Sequence, residues 1–323
     1  MKHLLLIRFS ALGDILMTVP VIDALARQNP DLRITVVSKP FVQSVMEHLP
    51  ENVEFYGLNP RDYPGLRGLC RLFKELDELK PTHVCDLHDV LRTKFCRLRW
   101  KLKGTPLSHI DKDRKARRRF IAQHGRTPQV TIFEKYAAAI RKLGFKVEID
   151  PSRRFSFFPE RKEKSGIGIA PFAAHAGKTY HRIFMEQVLE KLSKRGEKIY
   201  LFGAGYQEER QFKEWEEKYP GVKSMIGKLT NMYAECELMS HLRVMLTMDS
   251  GNMHLASLAG TRVVSVWGAT HPFGGFLGWG QSLDDVVQKP PSCRPCSAFG
   301  EKKCKFGDYR CLIIDSDEIA NRL

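Results

Sequence analysis

Short apolar runs alternate with amphipathic stretches along most of this chain. Such runs predict buried strands of a parallel sheet, because helices cover both faces of each strand. The runs are His3–Arg8, Arg33–Ser38, Thr82–Leu87, Gly166–Ala170, Lys198–Phe202, Arg243–Met248 and Arg262–Trp267. The stretches between them place apolar residues at helical spacing, as Ile15, Val19, Ile22 and Ala26 do. The pattern predicts α/β architecture built on parallel sheets.

This alternation is interrupted once, at Asp150–Ser165, which combines two prolines, mixed charges and no clear period. That composition is typical of a linker between domains. We therefore expect an N-terminal Rossmann-like domain over residues 1–155 and a C-terminal one over 165–323, facing each other across a cleft. Ligands bind such sheets beyond the carboxyl ends of their strands.

Composition excludes a disordered chain and adds a strong positive charge. The 323 residues are 43% hydrophobic and 28% charged, as in globular proteins, and the net charge is +15. This charge favours an anionic partner, whether nucleic acid, a phosphorylated substrate or a membrane face. Two basic runs, Arg92–Lys103 and Lys112–Arg119, carry much of the excess. A charge run is usually a solvated face, but two so close together favour a shared anion-facing surface.

Apolar residues interleave with the charges of the first run, as in a surface that rests on a membrane. They are Phe95, Leu98, Trp100 and Leu102. No apolar run reaches the roughly 18 residues of a membrane-spanning helix. The apolar N-terminus stops at Ile7 and reads as a buried strand rather than a signal peptide. We expect a cytoplasmic protein that associates peripherally with the inner leaflet.

The segment Arg8-Phe-Ser-Ala-Leu-Gly-Asp14 lies where the first predicted strand passes into a helix. Gly13 permits a tight backbone or the close approach of a ligand. A carboxylate is favoured at the start of a helix, so Asp14 fits a simple cap as well as a chemical role. The spacing alone leaves both readings open.

Two further segments follow strands of the second half. Asp249-Ser-Gly-Asn-Met-His-Leu-Ala256 opens a helix whose first N–H groups could bind phosphate, with Gly251 allowing close approach. His254 lies one turn in, where it could donate to an anionic oxygen or simply pack in the core. Lys178 ends a small-residue loop and could neutralise a phosphate, or be an ordinary surface lysine.

The glycine turn Leu201-Phe-Gly-Ala-Gly-Tyr-Gln-Glu-Glu209 is the fourth candidate. Carboxylates in this position can bind ribose hydroxyls. Both glutamates could equally serve the helix dipole alone.

Four of the eight cysteines form the cluster Cys293-x2-Cys296-x7-Cys304-x6-Cys311. The first pair has the spacing of zinc ligands, but the later gaps are not those of a standard finger. Disulfides are rare in a reducing cytoplasm, which leaves bound zinc or free thiols. We favour free thiols and expect no metal site. No Asp-x-Asp pair, a common metal-binding sequence, follows a predicted strand.

Taken together, these segments resemble glycosyltransferase family 9, which includes the heptosyltransferases of lipopolysaccharide core assembly. The resemblance lies in Ser-Ala-Leu-Gly-Asp with Pro20 downstream, in the loop at Lys178, and above all in Asp249 to Ala256 with its continuation to Val-Ser-Val-Trp-Gly-Ala-Thr-His-Pro272. One segment departs from it. The family's lysine loop commonly continues Lys-Arg-Trp-Pro, whereas this chain reads Lys178-Thr-Tyr-His-Arg-Ile.

The resemblance implies a GT-B fold with the acceptor on the N-terminal domain and the donor on the C-terminal one. It implies inverting, metal-independent transfer of a sugar from a nucleotide-diphosphate donor, with ADP-heptose the best-known one, to an anionic glycolipid such as a lipopolysaccharide core. Asp14 matches the catalytic base, with Ser10 and Gly13 on the acceptor-side loop. The donor-binding residues it implies are Lys178, Glu208, Asp249, Ser250, Gly251 and His254. No cofactor is expected beyond this co-substrate.

Two other classes of function remain open. A non-catalytic protein that binds sugar nucleotides needs Lys178 and the segment at Asp249 but not Asp14. The high positive charge also suggests a nucleic-acid-binding protein, although the chain has no recognised nucleic-acid module. We therefore expect no nucleic-acid partner.

Overall fold

The computed structural model describes residues 2–289 and 292–323. The strands are β1 His3–Ile7, β2 Arg33–Ser38, β3 Val53–Gly57, β4 His83–Asp86, β5 Leu107–His109, β6 Ile167–Ala170, β7 Ile199–Leu201, β8 Val222–Ser224, β9 Val244–Met248, β10 Val263–Trp267 and β11 Val286–Gln288. The helices are α1 Leu12–Leu16, α2 Val19–Gln28, α3 Gln43–Met46, α4 Gly65–Glu78, α5 Leu91–Leu102, α6 Arg114–Ala122, α7 Ile132–Arg141, α8 Arg182–Lys194, α9 Tyr206–Lys218, α10 Met232–His241, α11 Gly251–Leu258 and α12 Ser316–Ala320.

The strands form two parallel sheets, one in each of two compact units. The first has the order β3-β2-β1-β4-β5, and the second has the order β11-β10-β9-β6-β7-β8. In the centre of each sheet, β1, β6, β9 and β10 are buried along their whole length. The predicted α/β architecture with Rossmann-like parallel sheets is confirmed.

The unit boundaries differ from the expected ones at two places. The first unit runs up to Lys112 and resumes over Ile132–Pro151, whereas Asp113–Thr131 packs with the second unit. Residues 152–165 also pack with the second unit, so most of the expected linker lies against a folded surface. There the Ser156 hydroxyl donates to the Ala259 carbonyl over 3.0 Å.

Helix α6 and its following loop are held to the second unit by apolar and backbone contacts. Phe120 is buried, and its ring meets that of His271 edge-on at 6.2 Å. The Gln129 N–H donates to the Phe273 carbonyl over 2.8 Å. The two basic runs therefore form helices of different units, since α5 belongs to the first unit and α6 to the second. The expected boundary at residue 155 would place both runs in the first domain, whereas residues 113–119 pack with the second unit.

The first basic run forms α5, and its apolar residues do not all face outward. Trp100 is fully buried and its ring contacts that of Phe73 at 5.3 Å, while Phe95 is half-buried. Leu98 and Leu102 are exposed. Trp100 therefore serves the core of the first unit, contrary to the surface role expected from the sequence.

In the part of the chain that the structure describes, no helix combines the length and apolarity needed to cross a membrane.

Candidate active site

Asp14 is the third residue of α1, the helix that follows β1. Its Oδ2 accepts a hydrogen bond from the Ala11 N–H over 3.2 Å, so the carboxylate does cap the helix. The same oxygen lies 2.6 Å from Nη2 of Arg8. Among the described residues, Oδ1 accepts no hydrogen bond, and the side chain is 20% exposed. One oxygen is thus held in place and the other remains available.

Arg8 is a buried arginine whose role the sequence did not reveal. Its Nη1 donates to the Leu87 carbonyl over 2.6 Å, and its guanidinium lies 5.8 Å from the centre of the Tyr136 ring. The Tyr136 hydroxyl donates in turn to the backbone carbonyl of Asp14 over 3.1 Å. The sequence signal for this role was an arginine directly after a buried, mostly apolar strand, since buried charges are usually paired.

Ser10 and Gly13 complete this loop. The Ser10 Oγ lies 3.1 Å from Nε2 of His88, a hydrogen bond whose direction depends on the histidine tautomer. Gly13 is the second residue of α1 and has no left-handed backbone, so the helix does not need a glycine here for a special conformation. Close approach of a ligand there stays a prediction.

His88 was missed by the sequence reasoning. It is 9% exposed, and burial together with the charges of Arg8, Lys112 and Lys39 lowers its pKa to about 3. The ring is therefore neutral near neutral pH. Within the described part of the chain, its buried Nδ1 has no hydrogen-bond partner.

A cavity of about 180 Å³ opens beside Ser10 and His88 in the first unit. Three cationic side chains line it: Lys39, Arg61 and Arg92. In the described structure none of the three is paired with a carboxylate. Unpaired cations around a concave space beside the Ser10 loop suit an anionic ligand.

In the second unit, Lys178 and Asp249 are joined although they lie far apart in the sequence. Nζ of Lys178 lies 3.0 Å from Oδ2 of Asp249, and the Thr270 hydroxyl donates to the same oxygen over 2.7 Å. Asp249 follows β9 and Thr270 follows β10, and adjacent parallel strands bring them to one edge of the sheet. Thr270 belongs to the segment that resembles glycosyltransferase family 9, but the sequence assigned it no function.

Helix α11 begins directly after Asp249. Ser250 is its N-cap and Gly251 its first residue. The buried Ser250 Oγ has no hydrogen-bond partner within the described residues. His254 is buried one turn further on. The first N–H groups of a helix lack intrahelical partners and attract anions, so Lys178 and this helix start supply positive charge at the same strand end.

The four-cysteine segment packs against this lysine. A Cβ added to Gly300, whose φ is +78°, would lie 2.5 Å from Cγ of Lys178. The buried Arg294 donates from Nη2 to the Thr270 carbonyl. Cys296 donates its backbone N–H to the carbonyl of Ala269 over 2.8 Å. The segment thus forms one wall around the side chain of Lys178.

The four thiols of this segment form no disulfide. Among the described residues, no three histidine, cysteine or acidic side chains form a group that could hold a metal ion. An Asp-x-Asp sequence, Asp111-Lys112-Asp113, does follow a strand, because β5 ends at His109. Strand β5 is not predicted by the apolar pattern of the sequence, so the expectation that no Asp-x-Asp pair follows a strand is wrong. Asp113 caps α6 by accepting from the Ala116 N–H over 3.1 Å.

Glu208 lies at the third position of α9, and its Oε2 accepts from the Ala204 N–H over 2.9 Å. Burial raises the pKa of this carboxyl group. The same oxygen lies against Gly203, where an added Cβ would come within 2.3 Å. The side chain therefore folds back on its own loop as a cap, and its contact with a ribose stays a prediction.

The chain is similar to known proteins in sequence and in fold. One curated relative, lipooligosaccharide heptosyltransferase 2 of Campylobacter jejuni, is 26% identical over 157 residues, which span 47% of this chain and about half (47%) of that protein. The solved Escherichia coli heptosyltransferase WaaC with ADP covers 99% of this chain and 98% of its own, with a TM-score of 0.70 and 14% identity.

A second solved structure is the iron-containing dodecameric glycosyltransferase TibC of enterotoxigenic E. coli. It covers 99% of this chain and 74% of its own, with a TM-score of 0.57 and 15% identity. The likeness in fold to WaaC confirms the predicted GT-B class. The family model described as glycosyltransferase family 9 (heptosyltransferase) matches residues 117–308, more than half of the chain. The chain belongs to glycosyltransferase family 9.

Proposed function

We propose that this protein transfers a sugar from a nucleotide-diphosphate donor to an anionic glycolipid. The observation that carries the proposal is the site around Lys178, where the ion pair with Asp249 and the start of α11 meet at one strand end. Such a site favours a diphosphate, whose negative charge grows as the bond to the sugar breaks. Family membership supports the same reaction class.

The donor that we propose is ADP-heptose. The names of the C. jejuni relative and of E. coli WaaC, which was solved with ADP, support it. In the absence of donor, Asp249 neutralises Lys178. On donor binding we expect Lys178 to turn to the diphosphate while Thr270 keeps Asp249 in place. Ser250, Gly251 and His254 would then line the phosphate side, and Glu208 the ribose side.

The reaction that we propose is an inverting displacement. Oδ1 of Asp14 takes the proton of the acceptor hydroxyl, whose oxygen forms a bond to the anomeric carbon. The bond from that carbon to the diphosphate oxygen breaks, and its electron pair leaves with the nucleoside diphosphate. Lys178 and the N–H groups of α11 stabilise this leaving group, so no metal is needed for that role. Arg8 fixes the direction of the base by holding Oδ2.

We propose that the acceptor carries a phosphate or a carboxylate close to the reacting hydroxyl. The cations at the cavity beside Ser10 support this, because Lys39, Arg61 and Arg92 lack carboxylate partners in the described structure. A lipopolysaccharide core has such groups, and the name of the C. jejuni relative agrees with it. The corresponding location is the inner face of the cytoplasmic membrane, reached by peripheral association.

The solved glycosyltransferase TibC contains iron, and we do not propose an iron site in this protein. The residues that could supply thiolate ligands are those of the four-cysteine segment. Among the described residues no group of three histidine, cysteine or acidic side chains is arranged to hold a metal ion, and we propose that the four thiols are free. Metal analysis of the purified protein tests this point.

A thermal-shift screen of ADP-, UDP- and GDP-linked sugars tests the proposed donor. ADP-heptose should raise the melting temperature of the wild type and not that of Lys178→Met. The exposed Lys223→Met serves as the control, which should respond like the wild type. A stronger response to another nucleotide would overturn the ADP assignment, and donor binding without transfer would favour the non-catalytic alternative.

A further inference from the structure

Two neighbouring helices of the first unit expose an apolar stripe bordered by positive charge. On α5, Leu91, Phe95, Leu98 and Leu102 recur at helical spacing and share one side. Leu91 is 84% exposed, Leu102 76% and Leu98 57%, while Phe95 is half-buried. Large apolar side chains are seldom exposed in a row on a helix unless something covers them.

Helix α4 extends this stripe. Leu66 is 73% exposed, and Cys70 and Phe73 follow it on the same side of the helix. Arg99 joins the two helices, since its guanidinium lies 5.6 Å from the centre of the Phe73 ring and 5.7 Å from that of Phe95. We call the side chains of Leu66, Cys70, Phe73, Leu91, Phe95, Leu98 and Leu102 the leucine face.

The charges around the leucine face are mostly positive. Helix α5 contains no acidic residue and places Lys94, Arg99 and Lys101 at the surface. Helix α4 adds its own exposed cations, Arg67, Arg71 and Lys74.

The acidic residues of α4 point mostly elsewhere. Glu75 accepts hydrogen bonds from the hydroxyls of Tyr56 and Tyr63, and Asp77 accepts from Trp100 Nε1. Glu78 lies 4.0 Å from Lys74. Lys94 of α5 lies 3.8 Å from Asp89, which precedes that helix. The other four exposed cations have no acidic partner in the described structure: Arg67, Arg71, Arg99 and Lys101.

We propose that the leucine face docks on the surface of an anionic lipid bilayer. Such a bilayer binds surfaces that combine apolar side chains with lysines and arginines. The leucines insert at the boundary between headgroups and acyl chains, while the cations contact the anionic headgroups. A second copy of the chain is a poorer occupant, since two leucine faces would bring like charges together. This proposal rests on the proposed function, whose acceptor is a glycolipid, and it identifies the surface that reaches it.

Vesicle flotation with the full chain tests the docking. The wild type should float with vesicles of equal parts phosphatidylglycerol and phosphatidylcholine, less so as salt is raised, and not with phosphatidylcholine alone. The double variant Leu98→Gln/Leu102→Gln should bind about tenfold or more weakly, because two inserted side chains become polar. Both leucines are exposed, so the fold should survive, and circular dichroism checks it.

Matched variants separate the leucine face from general effects. Ile183→Gln changes an exposed apolar residue of the second unit, and Lys223→Glu an exposed lysine there; neither should alter flotation. Arg67→Glu/Lys101→Glu should weaken binding and flatten its salt dependence. Equal flotation of the wild type and the leucine variant would overturn the proposal. So would a dimer that the leucine variant dissociates while lipid binding is unchanged.

Calorimetric measurement of ADP binding distinguishes a failure of the docking proposal from a failure of the proposed function. None of the variants lies at Lys178 or in the Asp14 loop, so each should bind ADP like the wild type. A protein that floats but does not bind ADP counts against the donor and not against the leucine face. A protein that binds ADP but does not float counts against the leucine face alone.

Discussion

Nη2 of Arg8 lies 2.6 Å from Oδ2 of Asp14, and this ion pair joins the end of the first strand to the first helix. It engages the same oxygen that caps α1. Two donors on one oxygen fix the orientation of the carboxylate while leaving the other oxygen available. A helix cap and a catalytic base are therefore compatible roles for one residue, which the sequence treated as alternatives.

The substitution Asp14→Asn should lower kcat by about 10²–10⁴-fold, because the amide cannot take the proton of the acceptor hydroxyl. Donor binding should be nearly unchanged. Steady-state transfer assays and calorimetric ADP binding measure the two effects. Asp23→Asn, which alters a surface carboxylate paired with Arg27, is the control and should keep its activity. Full activity of Asp14→Asn would rule out the proposed base.

The substitution Arg8→Gln should destabilise the fold by about 1–3 kcal/mol, since it removes a buried cation from Asp14 and from the Leu87 carbonyl. Arg27→Gln breaks an exposed pair with Asp23 and should cost less than about 1 kcal/mol. Urea unfolding of both variants measures the difference. Equal losses would show that the Arg8 pair is no more than a surface contact.

The substitution Gly300→Ala should weaken ADP binding by about tenfold, because the new methyl group displaces the side chain of Lys178. Gly307→Ala introduces the same left-handed strain at φ +77°, but nothing lies within 4 Å of its Cβ. Comparing the two removes the backbone effect that they share. Calorimetry with ADP gives the measurement. If both variants bind ADP equally well, the cysteine segment does not position the lysine.

The stability of the protein should fall in mild acid through His88. Its pKa is about 3 in the folded state against 6.5 unperturbed, so the unfolded chain binds the proton more readily. The stabilisation is complete above about pH 6.5 and is lost as the pH falls towards about 3. His88→Gln should be less sensitive to acid over this range. Urea unfolding at about pH 7 and about pH 4.5 measures it, with the exposed His241→Gln as control. An unchanged slope for His88→Gln would contradict the assignment.

The central strands could be predicted from the sequence, and the edge strands could not. The apolar runs that predict β1, β2 and β4 of the first sheet and β6, β7, β9 and β10 of the second sheet belong to strands with neighbours on both sides. The strands missed are β3 and β5 in the first sheet and β8 and β11 in the second, all at an edge. An edge strand faces solvent and contains polar residues, so its pattern is weaker.

The sequence by itself determined the parallel α/β architecture and the positions of Asp14, Lys178 and Asp249 at strand ends, because those depend on local patterns along the chain. Only the tertiary structure decided their partners. Arg8, which follows β1, pairs with Asp14 of α1. Thr270 contacts Asp249 because the strands that precede them, β10 and β9, are neighbours in the sheet. Packing likewise placed Asp113–Thr131 with the second unit and buried Trp100. Contacts between distant residues depend on how the sheets assemble, and no local pattern records that.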